Sequence, residues 1–344
     1  MTSISTGQRN LISDVDGILV GNISDERLKS GVTAVVCETP TIASVHVMGG
    51  APGTRETDLL SPENVVEEVD GLVLSGGSAF GLDAASGAQA AMRELGRGFE
   101  IGPHRVPIVP AAILFDLMNG GDKDWGRYAP YREMGYEAVK VAGRDFELGT
   151  QGAGTGALTA VCKGGLGSAS SVITLGDGNK ITIGALVAAN PLGSTLVGDT
   201  SNFWAAPFEQ GKEFGGRGVA EPFPDDSDEL RIKHRDMLQS GTNTTIAVIA
   251  TDACLSKAQA KRLAVAAHDG FARAIWPSHT PLDGDLVFAL ATGRSNVVPT
   301  LDQYIDLGAV ASSTMSRAIA RGIYEARPAD NDLLPAWQEK FDKD

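Results

Sequence analysis

Cysteine is scarce in this chain. Cys37, Cys162 and Cys254 are its only three, widely spaced and odd in number. They suggest neither a disulfide framework nor a thiolate metal site, and reduced thiols in a cytoplasmic protein are the expectation. Basic residues are in deficit: 29 Lys and Arg stand against 43 Asp and Glu, a net charge of -14. Affinity for nucleic acid comes largely from cations that neutralise phosphates, so no nucleic-acid partner is expected. The acidity reads as solubility. No apolar run approaches the ~20 residues of a membrane span, so no membrane partner is expected. The opening segment has no basic stretch followed by an apolar core, and no secretion signal is read there. Five histidines (His46, His104, His234, His268, His279) are scattered without metal-ligand spacing. There is no G-x-S-x-G elbow and no C-x-x-C pair. A zinc site, a Ser-His-Asp hydrolase and a cofactor all lack an anchor, and no metal or cofactor is expected.

Glycine is what the chain has in excess, 42 in 344 residues, against a usual ~7%. It signals tight turns and close backbone approach. The hydrophobic fraction of 42% and the charged fraction of 21% are those of a globular protein. Residues 31–37 and 42–47 are β-branched and apolar and read as strands. Ser61-Pro62 reads as a helix start, with Ser61 as cap and Pro62 first. A buried strand over 71–75 runs into Gly76-Gly77-Ser78 and then a helix over 79–95. That helix is rich in Ala, Ser and Gly, small enough for very close packing. The glycine turn is either a backbone N–H cradle for an anion or a tight strand-to-helix turn. Residues 106–116 are apolar but broken by two prolines, an edge strand or an irregular extended segment. Residues 119–135 read as a surface excursion and 136–142 as the start of a helix. Gly152-Ala153-Gly154-Thr155-Gly156-Ala157 matches the dinucleotide pattern G-x-G-x-x-A. No clear strand precedes it and no amphipathic helix comes after it, so it reads better as a glycine-rich wall or a packing element. A strand over 181–189 ends on Asn190-Pro191. That is either a turn or an amide donor aimed from a rigid strand end into a cleft.

From 207 to 242 charges, Lys233 among them, interleave with Gly and Pro. This stretch, with a short helix near 228–238, is expected to be exposed and mobile. The C-terminal third is regular: a strand over 245–251, a helix from a Ser256 cap to about 275, a strand over 286–292 and a helix over 301–326. Helices layered on sheet are the expected result. Asp283-Gly284-Asp285 precedes the second of these strands. Two carboxylates around a glycine bind a cation, orient an ammonium or simply turn the chain.

Thr244 stands where the polar run meets the apolar strand. A threonine hydroxyl is a poor nucleophile unless a base takes its proton. One solution is the threonine's own α-amine, freed at a chain terminus. Its ordinary pKa of ~7.7–8.0 suits a base at neutral pH. That solution needs a chain break before the threonine, a rigid strand to hold it and a polar segment able to move aside. The sequence offers all three around Thr244, and each is also an ordinary feature of a loop entering a strand.

Six segments together are more specific than any one. They are LSGGSAFGL at 74–82, VPIVPA at 106–111, GAGTG at 152–156, Ala189-Asn190-Pro191, Asn243-Thr244-Thr245 and Asp283-Gly284-Asp285, and they span nearly the whole chain in one order. On them the chain resembles the DmpA-like aminopeptidase family, which includes the nylon-oligomer hydrolases. The resemblance implies an α+β fold, a four-layer αββα sandwich of the N-terminal-nucleophile type. It implies a single domain, 1–344, that cleaves itself into a large chain, 1–243, and a small chain, 244–344, which stay together. Carried over residue by residue, Asn243–Thr244 is the self-cleaved bond and Thr244 the nucleophile of an amide hydrolase. Asn190 supports the oxyanion, Lys163 matches a catalytic-site lysine of the nylon-oligomer branch, and Asp283 and Asp285 match its carboxylate pair. The family's aminopeptidases mostly use serine as nucleophile, with a serine and a glutamate where this chain has Asp283 and Asp285. Those positions bring it closer to the nylon-oligomer branch. The expected substrate is a short peptide or oligoamide, cut by an aminopeptidase/amidase or, alternatively, by an endo-acting oligoamide hydrolase. A homo-oligomer of processed pairs is the expected assembly. Two further readings are an unprocessed, non-catalytic binding module and a nucleotide-dependent enzyme.

Overall fold

The computed structural model describes residues 3–233 and 243–342. In chain order its elements are β1 (Ser3–Ser5), β2 (Ile18–Asp25), β3 (Ser30–Val47), β4 (Thr54–Arg55), β5 (Glu68–Ser75), α1 (Ala84–Glu94), β6 (Phe99–Ile101), β7 (His104–Val106), β8 (Ala111–Ile113), α2 (Tyr131–Lys140), β9 (Gly165–Thr174), β10 (Lys180–Ala189), β11 (Ile246–Thr251), α3 (Lys257–Ala272), β12 (Leu286–Ala291), α4 (Leu301–Tyr324) and α5 (Trp337–Phe341). A ten-stranded sheet runs β1-β9-β10-β11-β12-β3-β5-β8-β4, with β2 paired to β3 off that path, and β6 and β7 pair separately.

β3 makes one sheet into two layers. Its first half lies between β2 and β5, and its last residues, from Ile42 to Val47, pair with β12. The register slips between Val36 and Thr41, and an irregularity of this kind bends a strand and lets it change direction. Period-two alternation then sorts the side chains. On β10, β11 and β12, Ile183, Val187, Ile249 and Val287 pack outward with Leu263, Phe271, Met315 and Ile319 of α3 and α4. Leu186, Ile246, Val248, Phe288 and Leu290 point the other way, to a central core shared with Val35, Cys37, Leu72 and Leu74. On the far side Val32, Ala34 and Val73 meet Ala84, Ala88, Met92, Tyr131 and Ala138 of α1 and α2. The order is helices, half-sheet, half-sheet, helices: an αββα sandwich whose halves are hydrogen-bonded through β3. No helix among the described residues is long and apolar enough to cross a membrane.

The C-terminal third agrees closely with the sequence pattern. Ser256 caps α3 by accepting from Gln259 N–H, and Thr300 caps α4 the same way with Gln303. Other expectations need correction. Ser61-Pro62 opens a turn, not a helix. The stretch after it offers no apolar stripe, since Val65 is 94% exposed and β5 begins at Glu68. The helix expected over 79–95 is a 3-10 segment, Ser78–Asp83, before α1 proper. α2 starts at Tyr131, inside the supposed surface excursion, because Tyr131 is fully buried with its hydroxyl 3.0 Å from Ser30 Oγ. In the charged stretch, Glu213 bonds Arg317 Nε at 2.6 Å and Phe214 is a core residue. Residues 228–233 are not helical. The rest of the helix expected near 228–238 lies outside the described residues, as does His234.

The small residues of α1 do serve close packing. A Cβ on Gly87 would stand 1.7 Å from the Arg132 carbonyl of α2, and one on Gly135 would stand 2.0 Å from the Ala84 carbonyl of α1. Gly87→Ala should therefore force the two helices apart and destabilise the chain by about 1–3 kcal/mol. Urea unfolding checks this, and a variant as stable as the parent would contradict it.

Candidate active site

Sheet pairing places the candidate nucleophile. β11 pairs in parallel with β12, Ile246 opposite Leu286. The same register recurs three residues earlier as an isolated bridge between Asn243 and Asp283. Residues 243–245 therefore run beside the Asp283-Gly284-Asp285 turn. On the other side β10 pairs with β11, Ala188 opposite Ile246, which brings the strand end at Asn190 to Thr244. Asn243, Thr244 and Thr245 are all buried.

The Asn243–Thr244 peptide is held from both sides. Thr244 N–H donates to the Asn190 carbonyl at 3.1 Å, and Gly284 N–H donates to the Asn243 carbonyl at 3.0 Å. The Thr244 hydroxyl donates to that same Asn243 carbonyl. A Cβ at position 284 would stand 2.7 Å from Thr244 Oγ and 2.6 Å from the Ala51 carbonyl, so glycine lets the turn come this close.

The two carboxylates frame the peptide without touching Thr244. Asp285 accepts from Thr245 N–H at 2.7 Å and, with its other oxygen, from His279 N–H at 3.1 Å, with His279 Nδ1 at 2.9 Å. Asp283 accepts from Leu192 N–H at 3.1 Å and from the N–H and hydroxyl of Thr280 at 2.9 and 2.6 Å. Burial, and then the negative charge of Asp285, push the Asp283 carboxyl up from its ordinary value. The motif is thus more than a turn, since both carboxylates are buried at the strand junction.

Asn190 is also fixed. Its Nδ2 donates to the Phe115 carbonyl at 3.0 Å, and its Oδ1 accepts from Leu158 N–H at 2.9 Å and from Lys233 Nζ at 2.8 Å. Lys233 is the residue that sequence reasoning missed. Its neighbours in the chain place it with the solvated charges, yet it is buried. Its Nζ also donates to the Leu158 carbonyl at 2.7 Å and the Asn190 carbonyl at 3.3 Å. Burial pulls its pKa down to about 7, against the opposing charges of Asp283 and Asp285. Nothing in local spacing marks it, because its acceptors come from distant segments.

The structure brings Thr244, Asn243, Asn190, Asp283 and Asp285 together. Lys163 stands apart from their hydrogen bonds: its Nζ pairs with Asp332 at 2.6 Å, and Lys29 pairs with the same carboxylate. The supposedly scattered histidines partly gather. His268 stacks edge-on with His46 and His279, with ring centroids 5.1 and 4.8 Å apart. Burial drives the His268 pKa down to about 3, which favours a neutral ring where it packs on His279, the partner of Asp285. Among the described residues no group of three or more His, Cys, Asp or Glu is arranged to hold a metal ion.

Two glycine motifs resolve as structure. The N–H groups of Gly76, Gly77 and Ser78 bond the Gly31 carbonyl, the Asp116 carboxylate and the Leu114 carbonyl at 2.9, 2.8 and 3.0 Å. They form a tight turn with no cradle left for an anion. Gly154 and Gly156 would drive a Cβ to 2.0 Å from Leu166 N and from the Lys29 carbonyl. That segment is a packing element, without the strand and helix of a nucleotide site.

Beside Asn190, the space lined by Phe115, Met118, Leu158 and Lys233 is only about 10 Å³, room for roughly one water. The lysine that fills it sets a pH dependence. An amine whose pKa falls on folding stabilises the chain fully above its unfolded value of 10.5 and loses that contribution as pH falls through about 7. Stability should therefore climb between pH 7 and 10, and Lys233→Met should flatten the climb. Urea unfolding at stepped pH reads this, and parallel curves for parent and variant would refute it.

The comparisons with known proteins converge on one family. Peptidase family S58 matches residues 10–332. An uncharacterized aminopeptidase of Mycobacterium tuberculosis is 40% identical over 352 residues, covering 96% of this chain and 98% of the relative. A 6-aminohexanoate-oligomer endohydrolase of a Kocuria species is 26% identical over 333 residues, 92% of this chain and 86% of the relative. Among solved structures, a Burkholderia β-aminopeptidase superposes with a TM-score of 0.71 at 22% identity, covering 98% of this chain and 94% of that one. The L-aminopeptidase D-Ala-esterase/amidase of Ochrobactrum anthropi, described as a variant of the Ntn-hydrolase fold, gives 0.68 at 23% identity, with 96% and 92% covered. At such identities the solved structures speak for the fold, and that fold agrees with the αββα sandwich of this chain. The chain belongs to peptidase family S58 and is an amide hydrolase.

Proposed function

We propose that this chain cuts itself between Asn243 and Thr244 and then hydrolyses short peptide or oligoamide substrates with Thr244 as its N-terminal nucleophile. The observation that carries this reading is the state of one carbonyl. The Thr244 hydroxyl and the Gly284 N–H both hydrogen-bond the Asn243 oxygen. Attack of Oγ on the Asn243 carbonyl carbon would place negative charge on that oxygen, where the Gly284 N–H is already aimed. A donor so placed is worth roughly 2.7–4 kcal/mol in a transition state. The C–N bond breaks, the nitrogen takes a proton and becomes the Thr244 α-amine, and an Asn243 ester remains on Oγ. Water hydrolyses the ester to an Asn243 carboxylate and a free Thr244 hydroxyl. The cut leaves β11 hydrogen-bonded between β10 and β12, which supports the chains 1–243 and 244–344 staying together.

In the second stage the α-amine takes the hydroxyl proton as Oγ attacks a substrate amide, and returns it to the leaving amine. Asn190 keeps one N–H on the Phe115 carbonyl, and its second is the donor we assign to the substrate oxyanion. Asp283 and Asp285 hold the frame through Leu192, Thr280, Thr245 and His279. We take an aminopeptidase/amidase as the first reading. Thr244 with Asp283 and Asp285 favours the second, an endo-acting oligoamide hydrolase. The free thiols of Cys37, Cys162 and Cys254 fit a cytoplasmic location, and a homo-oligomer rests on the family resemblance alone.

Thr244→Ala should remain one chain and hydrolyse nothing, while Thr244→Ser should still be cut. Denaturing mass spectrometry with an amide assay tests both, and a cut or active Thr244→Ala would remove Thr244 as nucleophile. Peptides with free and acetylated N-termini separate the two substrate readings: an aminopeptidase fails on the acetylated form, and an endo-acting enzyme cuts both.

A further inference from the structure

Lys233 lies in the polar stretch before the scissile bond, yet it is only 4% exposed. All three of its acceptors belong to the walls of the candidate site. They are the Leu158 carbonyl at 2.7 Å, Asn190 Oδ1 at 2.8 Å and the Asn190 carbonyl at 3.3 Å. Three N–H protons meet three oxygens, the geometry of an ammonium. The Asn190 carbonyl is the same oxygen that accepts Thr244 N–H at 3.1 Å. Lys233 thus clamps Asn190 by both its side chain and its backbone, and it shares an acceptor with the nitrogen that becomes the α-amine.

We propose that Lys233 is a positioning residue of this site: its cation fixes Asn190 and, after the cut, holds the neighbouring Thr244 α-amine in its free-base form. The assignment rests on the reading of Thr244 as an N-terminal nucleophile. Two ammonium groups on one carbonyl oxygen repel, so the pair gives up a proton more readily than either group alone. The value near 7 for Lys233 belongs to the uncut chain, before the Asn243 carboxylate made by the cut adds a negative charge beside the pair. Coupled amines share one proton, and the three acceptors of Lys233 against the one of the Thr244 nitrogen keep it on Lys233, which leaves Thr244 in the state a base needs. The other charges around the amine are Asp283 and Asp285, with His279 bonded to Asp285, and the Asn243 carboxylate made by the cut. Asp116 lines the small cavity shared by Asn190 and Lys233, and burial favours its neutral form. The carboxylates favour a protonated amine, and Lys233 is the cation that opposes them. Lys163, paired with Asp332, has its charge engaged elsewhere.

The test is the pH dependence of kcat/KM. In the processed parent the acidic limb reports protonation of the α-amine. Lys233→Met keeps the length of the side chain without its charge, and it should move that limb to higher pH by about 1 unit. Activity below the limb then falls about tenfold. Lys233→Ala should behave alike, and added propylammonium, but not propanol, should return the limb toward the parent's. An unmoved limb with activity lowered equally at every pH would overturn the proposal, because that is what a merely structural lysine would give. Equal rescue by propanol would overturn it as well. If Lys233→Met stays uncut, Lys233→Ala is cut in the presence of propylammonium and kcat/KM is then read against pH with the amine present and after it is dialysed away: a limb that moves up on its removal supports the proposal, and an unmoved limb, or a chain left uncut even with propylammonium, overturns it. Intact mass keeps the two failures apart: a parent chain that never begins at Thr244 removes the nucleophile reading, whereas a processed parent with an unmoved limb in the variants removes only the role of Lys233.

Discussion

The Asn243–Thr244 peptide is gripped through its own backbone groups, and the rest of the site depends on that grip. Its N–H is held by the carbonyl of Asn190 and its C=O by the N–H of Gly284. Neither partner is nearby in sequence. Asn190 arrives at the end of β10 and Gly284 in the turn before β12, and both are brought in by strands that flank β11. A buried peptide must satisfy both polar groups. Here the groups that satisfy them also restrict how the hydroxyl of Thr244 meets the preceding carbonyl.

That arrangement fits a site built of carboxylate and amide in which, among the described residues, the Thr244 hydroxyl bonds the Asn243 carbonyl. Asp283 and Asp285 tie down Leu192, Thr280, Thr245 and His279 and so fix the turn that presents Gly284. His268 is buried and held neutral. On the proposed reading the base at neutral pH is the α-amine freed by cleavage, with Lys233 as the neighbouring cation, and its environment is the electrostatic question at this site. Burial of Asp283, Asp285 and Lys233 lowers the local dielectric, which strengthens both the attraction of the aspartates and the repulsion from Lys233.

Much of this was legible in the sequence where local order and position in the chain coincide. β10, β11 and β12 are short apolar runs with turn residues at their ends. Thr244, Asn190 and the Asp283–Asp285 pair stand at those ends, where rigid elements present side chains. The cap Ser256 works through contacts within one turn. What escaped was decided by distant contacts. Lys233 reads as a solvated charge because its acceptors lie on residues 158 and 190. The gathering of His46, His268 and His279 depends on three elements meeting. Ser61-Pro62 carries a helix-start signal with no apolar face behind it, and tertiary structure made it a turn. Tyr131 looks like an exposed aromatic until Ser30 and the core of α1 are placed against it. Lys163 stands out through family resemblance alone, and the sequence held no hint of Asp332 as its partner.

The most direct measurement is the intact mass of the unmodified protein under denaturing conditions, tracked over time. The account predicts two species, the smaller about 11 kDa by chain length and beginning at Thr244. A single uncut chain after long incubation would contradict it, and Thr244 would then be one more buried threonine at the start of a strand.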